Sequence, residues 1–217
     1  MARGYLVVEG HGEVRAALNL VHRLWSDLGL PFLAWADPPI RGLGLTQRQG
    51  VAKACALVRS KPDAAALLLL RDEDDHCPAE KGPLVASWLA AERLPFPAAA
   101  VLAHREFEAW FLPCLKRMAG QSLVDERGVA RPGLRADARY DGDPEAIRDV
   151  KGLLTTFFPP GRIYKPVTDQ LPLTRLIDFA ALRQAPAPSF GTLERALRHL
   201  SDHRGRREAV YPPPSKA

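Results

Sequence analysis

The run LLLLRDEDD, residues 67–75, places Asp72, Glu73, Asp74 and Asp75 directly behind Arg71, at the end of the most apolar stretch of the chain. A second pair of acids, Glu9 and Glu13, brackets a Gly-His-Gly turn that follows the apolar segment YLVV. Converging carboxylates repel, and two of them about 5 Å apart in an effective dielectric near 20 cost roughly 3 kcal/mol. A hard divalent cation reverses that sign, and oxygen-only ligands suit Mg²⁺ or Mn²⁺ better than zinc. Side chains alternate faces along a strand, so Asp72 and Asp74 share one face while Glu73 takes the other. Asp75, on the following turn, can add a ligand through water. Glu13 sits in the first turn of a helix, where it complements the helix dipole, and the glycines allow it to reach the same ion as Glu9. The expected metal ligands are therefore Glu9, Glu13, Asp72, Asp74 and Asp75. The plain alternative for such a run is a solvated acidic loop.

The elements that must position these acids can be read from periodicity. Residues 4–8 form a short β-branched run. Val14, Ala17, Leu18, Val21, Leu24, Trp25 and Leu28 then recur at helical spacing, with Gly29 as the stop. Residues 31–37 read as a strand, 38–45 as a loop and 46–60 as a helix N-capped by Thr46. The run 64–70 does not alternate, which marks a strand buried on both faces. A helix over 79–94, a buried strand over 97–104 and a helix over 105–120 interrupted at Pro113 complete the pattern. Strand and helix alternate through about four strands, which predicts an α/β fold with a parallel sheet wrapped by helices. Residues 1–120 are the expected core. Residues 121–144 read as a loop, and 144–158, 169–184 and 192–200 as helices of a C-terminal extension running to 217, with a frayed tail. In open parallel sheets, functional groups gather outside the carboxyl ends of the strands. Glu9, the 72–75 run and His104-Arg105-Glu106 all fall at such ends.

Composition narrows the class. The 217 residues are 47% hydrophobic and 25% charged, which are globular values. No apolar run approaches the roughly 18 residues of a membrane span, and the N-terminal region turns acidic too early for a signal peptide, so a cytoplasmic protein is expected. Three dispersed cysteines fit neither a disulfide framework nor paired zinc spacing. A net charge of +5 and a pI near 9.3 suit a polyanionic partner. Arg41, Arg48, Lys53, Arg105, Arg162 and Lys165 are the residues expected to hold phosphates.

LVVEGHGE followed by a helix, and LLLLRDEDD one further unit on, resemble the Toprim domain, a Rossmann-like fold shared by topoisomerases, bacterial primases and OLD nucleases. Glu9 and Asp72-x-Asp74 match its Glu and Asp-x-Asp motifs, and Glu13 resembles the second acid of the OLD nucleases. HREFEAWF (104–111), IYKPVTDQ (163–170) and APSF (187–190) further resemble a family of stand-alone bacterial Toprim-like proteins of unknown function.

The resemblance implies Mg²⁺- or Mn²⁺-dependent cleavage of DNA or RNA phosphodiesters. Glu9, Asp72 and Asp74 would be catalytic. Glu108 would be a further ligand or base, ahead of Glu106, and Lys165 the basic group near the transition state, with Lys151 as the alternative. Neither the separate tyrosine domain of a topoisomerase nor the zinc-binding and helicase-binding domains of a primase are expected from these residues. No Gly-x-x-x-x-Gly-Lys-Ser/Thr motif occurs, so any ATPase must be a separate subunit, as in a two-component bacterial defence system. Nucleic acid, that subunit and a second copy of the chain are the expected partners, and no membrane. The competing expectation is a non-catalytic Toprim-like binding or sensing module partnering an ATPase.

Overall fold

The computed structural model describes residues 1–10 and 12–215. Its centre is a six-stranded sheet in the order β2-β1-β4-β5-β8, with β3 also on β1, and every pairing in it is parallel. The strands are β1 (Arg3–Val8), β2 (Ala34–Trp35), β3 (Ile40–Arg41), β4 (Ala64–Glu73), β5 (Ala98–His104) and β8 (Val210–Tyr211). Among the described residues no helix is long and apolar enough to cross a membrane.

The α/β architecture expected from the element order is the one that forms. Leu67 to Leu70 of β4 are at most 1% exposed, as the lack of alternation predicts for a strand covered on both faces. Alternation still sorts their side chains. Ala66, Leu68 and Leu70 join Leu6 and Val8 in a layer with α1 (Glu13–Asp27), while Leu67 and Leu69 join Tyr5 and Val7 in a layer with α2 (Arg48–Arg59) and α3 (Pro78–Ala91). Each such leucine contributes about 1.5–3 kcal/mol of apolar burial. β1 sends the chain through α1 to β2 on one side, and β3 sends it through α2 to β4 on the other. The winding direction therefore reverses between β1 and β4.

Several local expectations are corrected. The stretch 38–45 is not all loop, because Val7 and Val8 hold Ile40 and Arg41 as a second short edge segment beyond β2. Gln47, not Thr46, is the N-cap of α2, and it makes no side-chain cap. Residues 105–120 split into a 3₁₀ helix, Phe107–Cys114, and α4 (Leu115–Met118), since Pro113 supplies no N–H donor. The region 121–144 contains a small hairpin, β6 (Leu123–Val124) with β7 (Ala130–Arg131). The helix expected over 144–158 shrinks to α5 (Val150–Thr156), which begins where Asp149 caps the Gly152 N–H at 2.8 Å.

The expected helix over 169–184 divides into a π-turn, Pro166–Gln170, then α6 (Leu171–Arg175) and α7 (Phe179–Gln184). Asp178 starts α7 afresh by accepting from the Ala180 and Ala181 N–H groups. α8 begins at Pro188, whose missing N–H costs nothing in a first turn, and runs to Asp202. The tail is not frayed up to Tyr211. Val210 and Tyr211 pair with the open edge of β5, and Arg195 Nε donates to the Tyr211 hydroxyl at 2.8 Å.

Gly50 of α2 explains one part of the GLGLTQRQG stretch. A Cβ there would lie 2.0 Å from the Gly44 carbonyl oxygen, a backbone atom that cannot swing aside. Gly50→Ala is expected to lower stability by about 1–3 kcal/mol, the usual cost of forced overpacking. The urea midpoint, compared with wild type, measures it.

Candidate active site

The two-layer alternation splits the acidic run between two environments. Asp72 continues the Leu68–Leu70 face toward α1 and the 3₁₀ helix, whereas Arg71 and Glu73 continue the opposite face toward α2 and α3. The strand itself runs three residues further than expected, through Glu73, because Asp72 and Glu73 still pair with Ala103 and His104 of β5.

On the α1 side, Asp72 Oδ1 accepts the Phe107 N–H at 2.7 Å, and Glu13, Glu108 and Lys151 are its strongest charged neighbours. Glu13 folds back so that Gly10 N–H donates to its Oε2 at 3.2 Å. A Cβ on Gly10 would meet Glu13 Oε1 at 2.7 Å, so the glycine makes room for that return. Glu108 is 1% exposed. Its Oε1 accepts the Tyr164 hydroxyl at 2.9 Å, while its Oε2 has no hydrogen-bond partner. Lys151, on α5, brings its ammonium to 2.6 Å from Glu106 Oε1 and 3.6 Å from Glu108 Oε2.

The protonation balance follows from burial. Desolvation raises the carboxyl pKa of Glu9, Glu13 and Asp72, and repulsion among the acids adds to it. Burial pushes Glu108 from 4.5 up to about 7, against the opposing pull of Lys151 and the Tyr164 hydrogen bond. For Lys151 the same upward direction favours the charged form. Desolvation is outweighed by Glu108, Glu106 and Asp72, so its pKa is raised and it stays charged. One ammonium cannot neutralise Glu13, Asp72, Glu106 and Glu108 together, and the excess shows in the raised pKa values of Glu13, Asp72 and Glu108.

On the α3 side, Arg71 is 4% exposed and donates to Glu73 Oε2 and to the Asp72 carbonyl, both at 2.6 Å. Glu73 also accepts from the His76 N–H and approaches His76 Nδ1 at 3.0 Å. Its pKa is lowered even though burial opposes this, because His76 and Arg71 hold the charged form. Glu9 lies half-buried between the two environments. Beyond burial, its carboxyl feels Arg71, Asp74 and Glu73.

Of the residues singled out from sequence, Glu9, Glu13, Asp72 and Glu108 are thus drawn to one region, and Asp74 borders it as an exposed neighbour of Glu9. Asp75 lines the same cleft as Glu9, Asp72 and Asp74 but pairs with Arg148 at 3.3 Å, both side chains being exposed. Lys165 is exposed in a separate cleft with Arg131, Arg162, Thr168 and Asp169, and the lysine among the acids is Lys151. Among the described residues, no three His, Cys, Asp or Glu groups stand close enough together to hold a metal ion. The donors are nevertheless all oxygens and outnumber the cations, a chemistry that fits a hard divalent ion.

Sequence reasoning overlooked Tyr164 and Arg71. The one signal for Tyr164 was its place beside Lys165, and for Arg71 its place within an apolar strand. The quoted motifs serve as braces. Trp110 of HREFEAWF donates to Ser189 of APSF at 2.9 Å, and Ser189 donates to the buried Glu145 at 2.6 Å. IYKPVTDQ reaches Glu108 through Tyr164, and its Asp169 accepts the Lys165 N–H and the Arg162 guanidinium.

A family model described as a domain of unknown function, DUF4276, matches residues 8–198, and the chain belongs to that family. No curated protein and no solved structure matches it.

A carboxyl whose folded pKa is raised takes up a proton more readily folded than unfolded. Folding is therefore favoured below the unfolded value of 4.5, and that advantage is lost as pH rises through about 7. Glu13 and Asp72 shift in the same direction. Glu108→Gln is expected to flatten this dependence and to raise stability at pH 8 by about 3 kcal/mol relative to its effect at pH 4. Urea unfolding of both proteins across that range checks it.

Proposed function

We propose that the protein is a divalent-metal-dependent phosphodiesterase of the nuclease type, cutting DNA or RNA in the cytoplasm, with a Toprim-like core related to OLD-type nucleases. The observation that carries this reading is the excess of carboxylates at the reversal point between β1 and β4, where open α/β sheets bind their ligands. Glu9, Glu13, Asp72 and Asp74 would offer oxygens to Mg²⁺ or Mn²⁺, with Glu108 near them as a further ligand or proton acceptor. When bound, such an ion activates water and stabilises the leaving oxygen. Lys151, fixed by Glu106, would place positive charge beside the phosphate and takes the role that sequence assigned to Lys165. Arg41, whose Nε donates to the Glu9 carbonyl at 3.3 Å, and Arg105, which bonds the Asp74 carbonyl, stand where flanking phosphates would lie. A Glu108 carboxyl titrating near neutrality suits proton transfer at working pH. A separate ATPase subunit and a place as effector in a bacterial defence system extend this reading by analogy.

A second reading, a non-catalytic binding or sensing module beside an ATPase, draws support from Lys151 itself. Its ammonium already supplies a cation to the acids.

The two readings separate on two measurements. With Mn²⁺ present, wild-type protein is expected to cut labelled single- or double-stranded DNA or RNA, and Asp72→Asn to lose at least about a hundredfold of that rate. Mn²⁺ at a hundredfold excess over its dissociation constant should raise Tm by about 5 °C or more, and Asp72→Asn should lose the rise. No cleavage and no thermal shift would leave the non-catalytic module.

A further inference from the structure

On the α3 side of β4, beside the carboxylates, lies an open cleft of about 430 Å³, within the size range of sites that hold one small ligand or nucleotide unit. Its lining is mixed. Glu9 and the acids Asp72 to Asp75 line it together with Arg71 and His76, and Leu84, Val85 and Trp88 of α3 line it with Lys81. Leu84 is 37% exposed. Trp88 packs against the α2–α3 core layer yet stays partly exposed. The remaining tryptophans are closed off: Trp25 is 5%, Trp35 6% and Trp110 0% exposed. An indole left at the rim of a cleft that ends in acids and cations has one obvious ligand chemistry, a flat apolar ring carrying a phosphate.

We infer that Trp88 seats an unpaired base of a single-stranded nucleic acid, whose adjoining phosphate lies at the carboxylate end of the cleft. The inference rests on the phosphodiesterase reading of the same site and names its substrate form. Every base offers a π-face, so stacking on tryptophan holds a strand without reading its sequence. A duplex keeps its bases paired and stacked, and would have to give one up to fill the cleft. Arg71 lines this end of the cleft, but Glu73 and the Asp72 carbonyl already engage its guanidinium, so among the described residues the free positive charge comes from Lys81. Lys81 adds a mobile charge, so binding weakens as salt rises.

Trp88 being the partly exposed indole makes the test selective. Full-length protein is titrated with a short fluorescently labelled oligothymidylate in Ca²⁺ and, separately, in EDTA, reading tryptophan emission and label anisotropy. Wild type is expected to bind with quenched emission. Trp88→Phe, which keeps an aromatic ring, should bind nearly as well but show no quenching. Trp88→Leu should bind about tenfold more weakly or worse. Equal binding by Trp88→Leu and wild type, quenching that persists in Trp88→Phe, or a duplex that quenches as well as the single strand would overturn the inference. The nuclease reading fails separately, by quenching without Mn²⁺-dependent cleavage. The stacking inference fails alone when cleavage proceeds and Trp88→Leu binds and cuts as wild type does.

Discussion

Lys151 holds its ammonium between Glu106 and Glu108, within the field of Asp72, and much of the surrounding structure serves to keep these charges together. Glu108 sits on a 3₁₀ turn that Phe107 pins to Asp72. Tyr164 closes over its other oxygen, and α5 starts where Asp149 caps it, so that Lys151 comes one residue into the helix. Burial alone would expel so many carboxylates. They remain because a lysine, a tyrosine hydroxyl and several backbone N–H groups compensate part of the charge, and the uncompensated part raises the carboxyl pKa values.

The strand β4 divides this chemistry in two by the simplest rule of extended chains. Consecutive side chains leave on opposite faces, so Arg71 and Glu73 form a closed pair on one side while Asp72 enters the acidic group on the other. A run that looks uniform along the chain therefore does two jobs. Glu73 is a structural partner for Arg71 and His76, and Asp72 is left short of positive charge. The cleft toward Trp88 opens where these two environments meet at Glu9.

Much of this arrangement was legible beforehand, and for identifiable reasons. The continuous apolar run 64–70 marked a central strand, helical spacing marked α1, and acids at strand ends marked the edge of the sheet where they now stand. Glu13 was readable because glycines flank its turn. Less legible were the segments after residue 120. Single helices were expected over 144–158 and 169–184, but side-chain caps at Asp149 and Asp178 restart them, and a cap is decided by a few local donors that periodicity does not register. The tail looked unstructured because Val210 and Tyr211 form a strand only by finding the open edge of β5, more than a hundred residues away in sequence.

The amino-acid sequence by itself determined the alternation of strands and helices, the burial of β4, and the presence of more carboxylates than cations at the strand ends. These are local properties, set by side-chain period and residue type. Only the tertiary structure decided which acids meet. It set Lys151 beside Glu106 and Glu108 with Lys165 in a separate cleft, paired Asp75 with Arg148, and brought Tyr164 to Glu108 across 56 positions of chain. Such choices depend on how α5 and the segment ahead of the π-turn meet the 3₁₀ helix, and no spacing along the chain encodes the distance between segments so far apart in sequence.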